Sequence, residues 1–435
     1  MRISFLIHNA YGIGGTIRTT FNLAAALAEQ HEVEIVSVFR HRAKPTLELD
    51  PAVPLRHLVD LRKKSETYDG EHPLAQRPAV VFPPSEARHR QYSALTDERI
   101  GAHLARLDAD AVIGTRPGLN AHIARQAPRR VVRVAQEHLT LDTHSVRLRL
   151  ALRRLYPRLD AVITTTEADA DAYRRRLVLP GVVVRGIPNS VPDPGIAPAA
   201  LDAKHVVAAG RLAAVKRYED LIRAFDKVRA ERPDWSLRLY GGGDRRESLA
   251  RLVEELELGG HVTMMGPVSP IEPEMAKGSV LAVSSAMESF GMTIVEAMRV
   301  GLPVVSTDCP LGPGEIIEHG VDGLLVPPRD TDAMAAALLR LINDDEARKR
   351  MGRAALVKGG HYDPHRIAGM YTDLLQRLLD RRAGAAGRVR GAGRHAGGLA
   401  LAAAYAGNDV ARGTARRART LAKRAAGRAG RAAAK

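Results

Sequence analysis

Glu288-Ser-Phe-Gly-Met-Thr-Ile-Val-Glu296 places two carboxylates around a Ser-Phe-Gly turn, and the runs on either side of it decide the fold. The run before it, Ser279-Val-Leu-Ala-Val-Ser284, is short and apolar, as a buried strand is. Thr293 to Val300 consists of good helix formers, with Gly301 placed to end a helix and Pro303 just beyond. Pro303-Val-Val-Ser306 then reads as the next strand. Glu288 therefore falls on a strand-to-helix loop, and Glu296 about one turn into the helix. In open α/β sheets such loops lie at the carboxyl ends of strands, where ligands bind. The free amides of Phe290, Gly291 and Met292 would form an anion site at the helix start. Carboxylates beside an anion site suit a ligand with hydroxyls on both sides of a charged centre. A nucleoside diphosphate sugar has that form, its hydroxyls donating to carboxylates while amides and cations hold the phosphates. A Glu pair alone is more often ordinary surface charge, so the reading needs further support.

Two other stretches supply it. Gly210-Arg211-Leu-Ala-Ala-Val-Lys216 follows the apolar run His205-Val-Val-Ala-Ala209 and precedes Leu221, Ile222, Phe225 and Val228 at helical spacing. Arg211 and Lys216 then sit on a loop at another strand's carboxyl end. A guanidinium there forks two phosphate oxygens, and an ammonium adds a point charge. Near the start, Ile3-Ser-Phe-Leu-Ile7 reads as a strand, Gly12-Ile-Gly14-Gly15-Thr16 as a Gly-rich loop, and Leu23, Ala26 and Leu27 as one face of a helix. Backbone amides can approach an anion closely in such a loop. The spacing is not G-x-G-x-x-G, because Arg18 and Thr19 stand where the third glycine would fall. That argues against an NAD-dependent oxidoreductase.

In this order the three pieces resemble the retaining glycosyltransferases of family 4, over about residues 1 to 380. The resemblance implies an α/β fold of the GT-B type: two Rossmann-like domains with parallel sheets facing across a cleft. It implies an acceptor-side domain over 1–186 and a nucleotide-sugar domain over 187–362. A helix over 363–382 would return to the first domain, and a basic tail would occupy 383–435. Glu296 would bind the ribose. Glu288, with the amides of Phe290, Gly291 and Met292, would hold the transferred sugar, and Arg211 and Lys216 would neutralise the departing diphosphate. Gly14 and Gly15 would lie against the phosphates and the acceptor. Val268, in Gly266-Pro-Val after the strand His261-Val-Thr-Met-Met265, would grip the base through backbone atoms. His138 would contact the donor sugar and the reacting centre. The runs Asp308–Ile317 and Gly320–Pro327 resemble a subset that uses UDP-sugars on wall-polymer or lipid-linked acceptors. The implied reaction is metal-independent and cofactor-free: a hexose moves from a nucleotide sugar, UDP-hexose favoured, to a hydroxyl of a glycan, glycolipid or cell-wall polymer. The rivals are a UDP-sugar 2-epimerase of the same fold, against which the Gly-Arg-Leu…Lys run argues, and a non-catalytic basic scaffold.

The 435 residues are enough for two domains of ordinary size. Alternating strand and helix signals run from Arg2 to about Val326, as in doubly wound folds. One cysteine, Cys309, allows no internal disulfide, which suits a reducing cytosol. No apolar run approaches the ~18 residues of a membrane span, and the start has no signal-peptide pattern. The expected location is the cytoplasm, including a peripheral place on the inner face of the cell membrane. Of the net charge of +16, the tail from Ala383 on carries +11, with Asp409 its one acid. Its Ala, Gly and Arg composition cannot form a core. It reads either as a solvated tail or as an attachment to anionic lipid, at ~1 kcal/mol per basic residue, with possible short helices over 399–405 and 412–431. Nucleic acid is not an expected partner, because aromatics for stacking are missing. Arg147 to Leu155 alternates Arg and Leu, as a membrane-surface helix or an ordinary amphipathic one does. Residues 63–91 read as an extended, mobile loop on the acceptor side. Asp108-Ala-Asp110 and Asp169-Ala-Asp171 match a metal-binding pair only in spacing, since one precedes a strand and the other starts a helix.

Overall fold

Short runs rich in Val, Ile and Ala, each closed by a turn, give thirteen parallel strands among the described residues, and the polar-faced segments between them give the covering helices. The computed structural model describes residues 1–383. In the first half the order is β1 (Arg2–Asn9), α1 (Gly15–Ala28), β2 (Glu32–Arg40), β3 (Leu55–Asp60), α2 (Ala94–Ala105), β4 (Ala111–Gly114) and α3 (Pro117–Gln126). β5 (Val132–Glu137), α4 (Val146–Leu155), β6 (Ala161–Thr164), α5 (Glu167–Leu177) and β7 (Val183–Gly186) complete it. Its seven strands lie in the order β3-β2-β1-β4-β5-β6-β7. The second half runs β8 (His205–Ala209), α6 (Tyr218–Glu231), β9 (Ser236–Tyr240), α7 (Arg246–Glu255), β10 (Val262–Gly266), α8 (Glu272–Met275) and β11 (Val280–Val283). α9 (Met292–Arg299), β12 (Val304–Thr307), α10 (Pro313–Ile316), β13 (Gly323–Val326), α11 (Thr331–Asn343) and α12 (Asp345–Gly359) follow. These six strands lie in the order β10-β9-β8-β11-β12-β13.

The central strands β4, β6, β11 and β12 are buried on both faces, so they are apolar or small throughout, whereas edge strands such as β10 alternate buried and exposed positions. In each, the order reverses beside the first strand of its half, β1 or β8. The crevice at such a switch point receives ligands, and both crevices open on one interdomain cleft.

A last helix, α13 (Pro364–Ala383), returns to the first domain and buries Ile367, Tyr371, Leu374, Leu375 and Leu378 in the cluster that holds Phe21, Leu23 and Ala24 of α1. Gln136 donates to the Tyr371 hydroxyl at 2.6 Å. Its last turn is held by Arg382, which bonds Asp160 and the carbonyl of Arg129. The outgoing linker and this returning segment run side by side, with the Val191 amide donating to the Tyr362 carbonyl at 2.9 Å.

Some expectations need correction. Residues 63–91 are pinned rather than loose: Asp60 accepts from Arg62, Ser65 and Thr67, and Asp69 pairs with Arg99 at 2.6 Å. Phe82 is fully buried and stacks on Tyr92 at 3.6 Å. Helix α4 sinks Leu148, Leu152 and Leu155 into the first domain, as an ordinary amphipathic helix does. Asp108 pairs with Arg2, and Asp171 with Arg174. Asp169 is buried and accepts from the Leu141 amide at 3.0 Å. The helices considered over 399–405 and 412–431 lie outside the described residues. Among the described residues no helix is long and apolar enough to cross a membrane.

Candidate active site

The second-domain wall of the cleft is carried on tight backbone turns. β8 ends at Ala209, and Gly210 turns the chain with φ +148°. The Gly210 amide donates to the Tyr240 carbonyl at 3.0 Å, and the Gly241 amide to the Gly266 carbonyl at 2.8 Å. A Cβ on Gly241 would fall 1.9 Å from the Gly210 oxygen, so only glycine permits this approach. The turn leaves Arg211 exposed in the cleft, with no side-chain partner among the described residues. Lys216 points to the next loop, where its Nζ donates to Glu288 Oε1 at 2.5 Å. Ser285 Oγ donates to the same oxygen at 2.6 Å.

Gly291 precedes α9 with φ +111°, a left-handed conformation that starts the helix at Met292 instead of Thr293. The first amides of α9, with no carbonyl one turn back, face the cleft. Glu296 lies one turn in and is 9% exposed. Burial pushes its carboxyl up to about 7, the nearby Glu272 adds to this, and Arg18 and Lys216 oppose it. A carboxyl so poised binds hydroxyls strongly when ionised, because little water competes for it.

The first-domain wall presents the start of α1. A Cβ on Gly14 or Gly15 would meet nothing within 4 Å, so both glycines front open space. Arg18, one turn into α1, crosses the cleft. Its Nη1 lies 3.4 Å from Glu296 Oε1 and 3.6 Å from Glu272 Oε1, and its Nη2 donates to Ser269 Oγ at 3.1 Å. A cavity of about 320 Å³ lies between the walls, lined by Gly14, Gly15, Arg18, Arg211, Val268, Met292 and Glu296 among others.

Of the residues singled out in the sequence, Gly14, Gly15, Arg211, Val268, Met292 and Glu296 meet at this cavity. The Lys216–Glu288 pair lies beside it, close enough for Lys216 to act on the charge of Glu296. Gly291 shapes the start of α9. The Phe290 ring turns away, buried against Tyr362 at 5.7 Å, so only its backbone is available. His138 follows β5 and does not line the cavity. Its Nε2 is buried without a partner among the described residues, and desolvation pushes the imidazole down to about 4, so it is neutral.

Three participants escaped the sequence reading. Arg18 was visible only as the residue displacing a glycine. Glu272 carries a buried Oε2 with no partner among the described residues and left no signal. Glu315 of α10 reaches the other domain, where it accepts from the amides of Glu167 at 2.9 Å and Ala168 at 2.6 Å. It thereby caps the amino end of α5 across the cleft, with favourable charge for the helix dipole. Beside it, Thr165 Oγ1 donates to the Ser289 carbonyl at 2.7 Å, tying the Glu288 loop to the first domain.

Comparison with known proteins accounts for both halves. Residues 13–193 match Glycosyltransferase Family 4, and residues 194–357 match Glycosyl transferases group 1. An exopolysaccharide phosphotransferase of Streptomyces coelicolor is 32% identical over 393 residues, 88% of this chain. The chain spans 41% of that relative's length. A Staphylococcus aureus TarM structure in complex with fondaparinux, α-GlcNAc-glycerol and UDP superimposes with TM-score 0.69 at 15% identity, over 86% of this chain and 100% of that one. Anabaena HepE with UDP and glucose gives TM-score 0.66 at 18% identity, over 86% and 99%. The architecture is that of these neighbours, the GT-B fold.

Proposed function

Since the chain is built of a family 4 and a group 1 glycosyltransferase domain, we propose that it is a retaining, metal-independent hexosyltransferase. It moves a hexose from a UDP-sugar to a hydroxyl of a glycan, glycolipid or wall polymer. One observation carries this reading: a single cavity combines the exposed Arg211 guanidinium with the buried Glu296 and the opening amides of α1 and α9. The first and last suit a diphosphate and the second a ribose. UDP in the TarM and HepE structures supports the choice of base.

In this reading Glu296 accepts from the ribose hydroxyls, and Val268 lies along the base. Glu288, fixed by Lys216 and Ser285, accepts from the hexose. The bond between the anomeric carbon and the diphosphate oxygen breaks, and the acceptor oxygen bonds to that carbon on the same face. The acceptor's proton passes to the departing phosphate. Negative charge grows on the diphosphate during the step, and Arg211, Lys216 and the helix amides are aimed at it. Groups preorganised for developing charge stabilise the transition state more than the ground state. That is the role a divalent cation would otherwise take.

The test is a thermal-shift panel of UDP-, GDP- and ADP-sugars. A ligand at 100 times its Kd adds ~2.7 kcal/mol of stability. UDP-hexoses should give the largest shift, and a panel with no shift would overturn the reading. For the basic segment over 383–435 we propose attachment to anionic membrane. Its removal should lower sedimentation with anionic vesicles, most at low salt, and unchanged sedimentation would contradict it.

A further inference from the structure

Arg18 stands between two carboxylates that the transfer reaction uses unequally. It belongs to α1 of the first domain, and its Nη1 lies 3.4 Å from Glu296 Oε1 and 3.6 Å from Glu272 Oε1. Neither contact has the ~2.7–2.9 Å length of a full charge-assisted bond, so one nitrogen is shared between two acceptors. Its Nη2 donates at 3.1 Å to Ser269 Oγ, three residues before Glu272, which opens α8. Glu296 has a second cation, Lys216, acting on it. Glu272 is worse served. It is 6% exposed, its Oε2 is buried with no partner, and Arg18 is its one ion-pair partner among the described residues. A buried carboxylate held by a single long contact is costly. Arg18 also has room to turn from one carboxylate to the other. Besides the donor cavity it lines a second one, of about 390 Å³, together with Phe21, Asn22, Val191, Ser269 and Glu272.

We propose that Arg18 is a nucleotide-responsive positioning residue: ribose hydroxyls take Glu296 from it, and it then pairs fully with Glu272, tying α1 to α8 across the occupied cleft. The inference rests on the reading of Glu296 as the ribose carboxylate. In the empty cleft two carboxylates compete for one guanidinium, so the pair with either is weak. Hydroxyls that donate to Glu296 remove one competitor. The guanidinium, already anchored by Ser269, has a short way to go before it forks both oxygens of Glu272 and gives the buried Oε2 its partner. The first domain is thereby drawn onto the second by the ribose, not by the phosphates alone. A ligand can favour one arrangement only through contacts that differ between the two, and here the differing contact is the one at Glu296.

The experiment is a double-mutant cycle on the whole protein. Wild type, Arg18→Ala, Glu272→Gln and the double variant are compared by calorimetry with UDP and with 2′,3′-dideoxy-UDP, and by urea midpoint without ligand. Each single substitution should weaken UDP about three- to fivefold, and the double variant should be no weaker than the worse single, as for residues in contact. Arg18→Lys should recover part, since an ammonium can meet one carboxylate oxygen. With dideoxy-UDP, and in the urea midpoints, the two substitutions should act nearly independently. Independent effects on UDP, or coupling of one size in all three measurements, overturns the proposal, because the contact is then either absent or fixed. Tighter UDP binding by Arg18→Ala also overturns it, since Arg18 would then only compete with the ribose. A wild type that binds UDP and its dideoxy form equally removes Glu296 from the ribose. One that binds neither breaks the donor reading, and each of these results takes the proposal with it.

Discussion

The two walls of the cleft are made differently. The second domain meets it with side chains carried on tight backbone turns: Gly210 and Gly291 hold positive φ, and a Cβ on Gly241 would overlap the Gly210 oxygen. The first domain meets it with one long side chain, Arg18 of α1, and with Gly14 and Gly15, which front open space. A wall of tight turns fixes amide positions and tolerates little change. A wall that fronts open space can be rewritten one residue at a time without touching the fold. Specificity for different acceptors on one scaffold needs a wall of the second kind.

The contrast is broken or sharpened most strongly at glycine. Gly241→Ala would put a methyl 1.9 Å from the Gly210 oxygen at φ +149°. We expect a loss of about 3 kcal/mol or more, whereas Gly15→Ala should cost well under 1 kcal/mol of fold stability. Urea midpoints of the two variants measure this, and equal midpoints would erase the distinction between the walls.

Arg211→Ala should come next, with a 10²–10³-fold loss in kcat, the usual cost of removing one group aimed at developing charge. Arg211→Lys should recover little, since an ammonium cannot fork two oxygens. A change confined to KM would mean that Arg211 holds the nucleotide equally before and during transfer.

A third measurement uses the titration of Glu296. Its folded carboxyl keeps a proton up to about 7, above the usual carboxylate range. The folded state therefore binds the extra proton between about 4.3 and 7. Stability conferred by that proton declines as pH rises through this window and is gone above it. UDP-hexose binding, which uses the ionised form, should strengthen from pH 6 to 8. Glu296→Gln should abolish this dependence and cost ~1.5–3 kcal/mol of affinity at pH 8. An unaltered pH profile in the variant would remove Glu296 from the ribose site.

Arg18→Ala should act more gently, because its contacts at 3.4 and 3.6 Å are long. The midpoint of that pH profile should rise by a few tenths of a unit, as expected when a single cation leaves a cleft. A fall would show that Arg18 competes with the ligand more than it supports Glu296. Smallest of all, EDTA should leave turnover unchanged. Activity lost to EDTA and restored by magnesium would transfer the charge-stabilising role from the arginine to a metal.

The wall of tight turns was also the legible one. Strand runs and glycines at fixed offsets announced Gly210, Arg211, Gly291 and Glu296 before any contact was known, because such turns are local in sequence. The first-domain wall was mostly hidden. Arg18 finds Glu272 and Glu296 only once two domains close, and the composition of residues 63–91 suggested looseness where side chains pin the segment. The buried Phe82 and the Asp60 and Asp69 networks that hold that segment join residues no periodicity connects. Phe290 shows the opposite error: a residue inside the right motif whose ring belongs to the core.

The paired crossings between domains have a consequence of their own. The stretch 195–198 in the outgoing linker is exposed, while the return path ends in α13, clamped on α1 by its buried apolar face. A protease cut in that stretch would sever the covalent link from first domain to second, yet the second fragment would keep its arm locked into the first. The nicked protein should migrate as two bands in denaturant and as one particle without it. The halves, expressed separately, should find each other through that arm and rebuild the cleft.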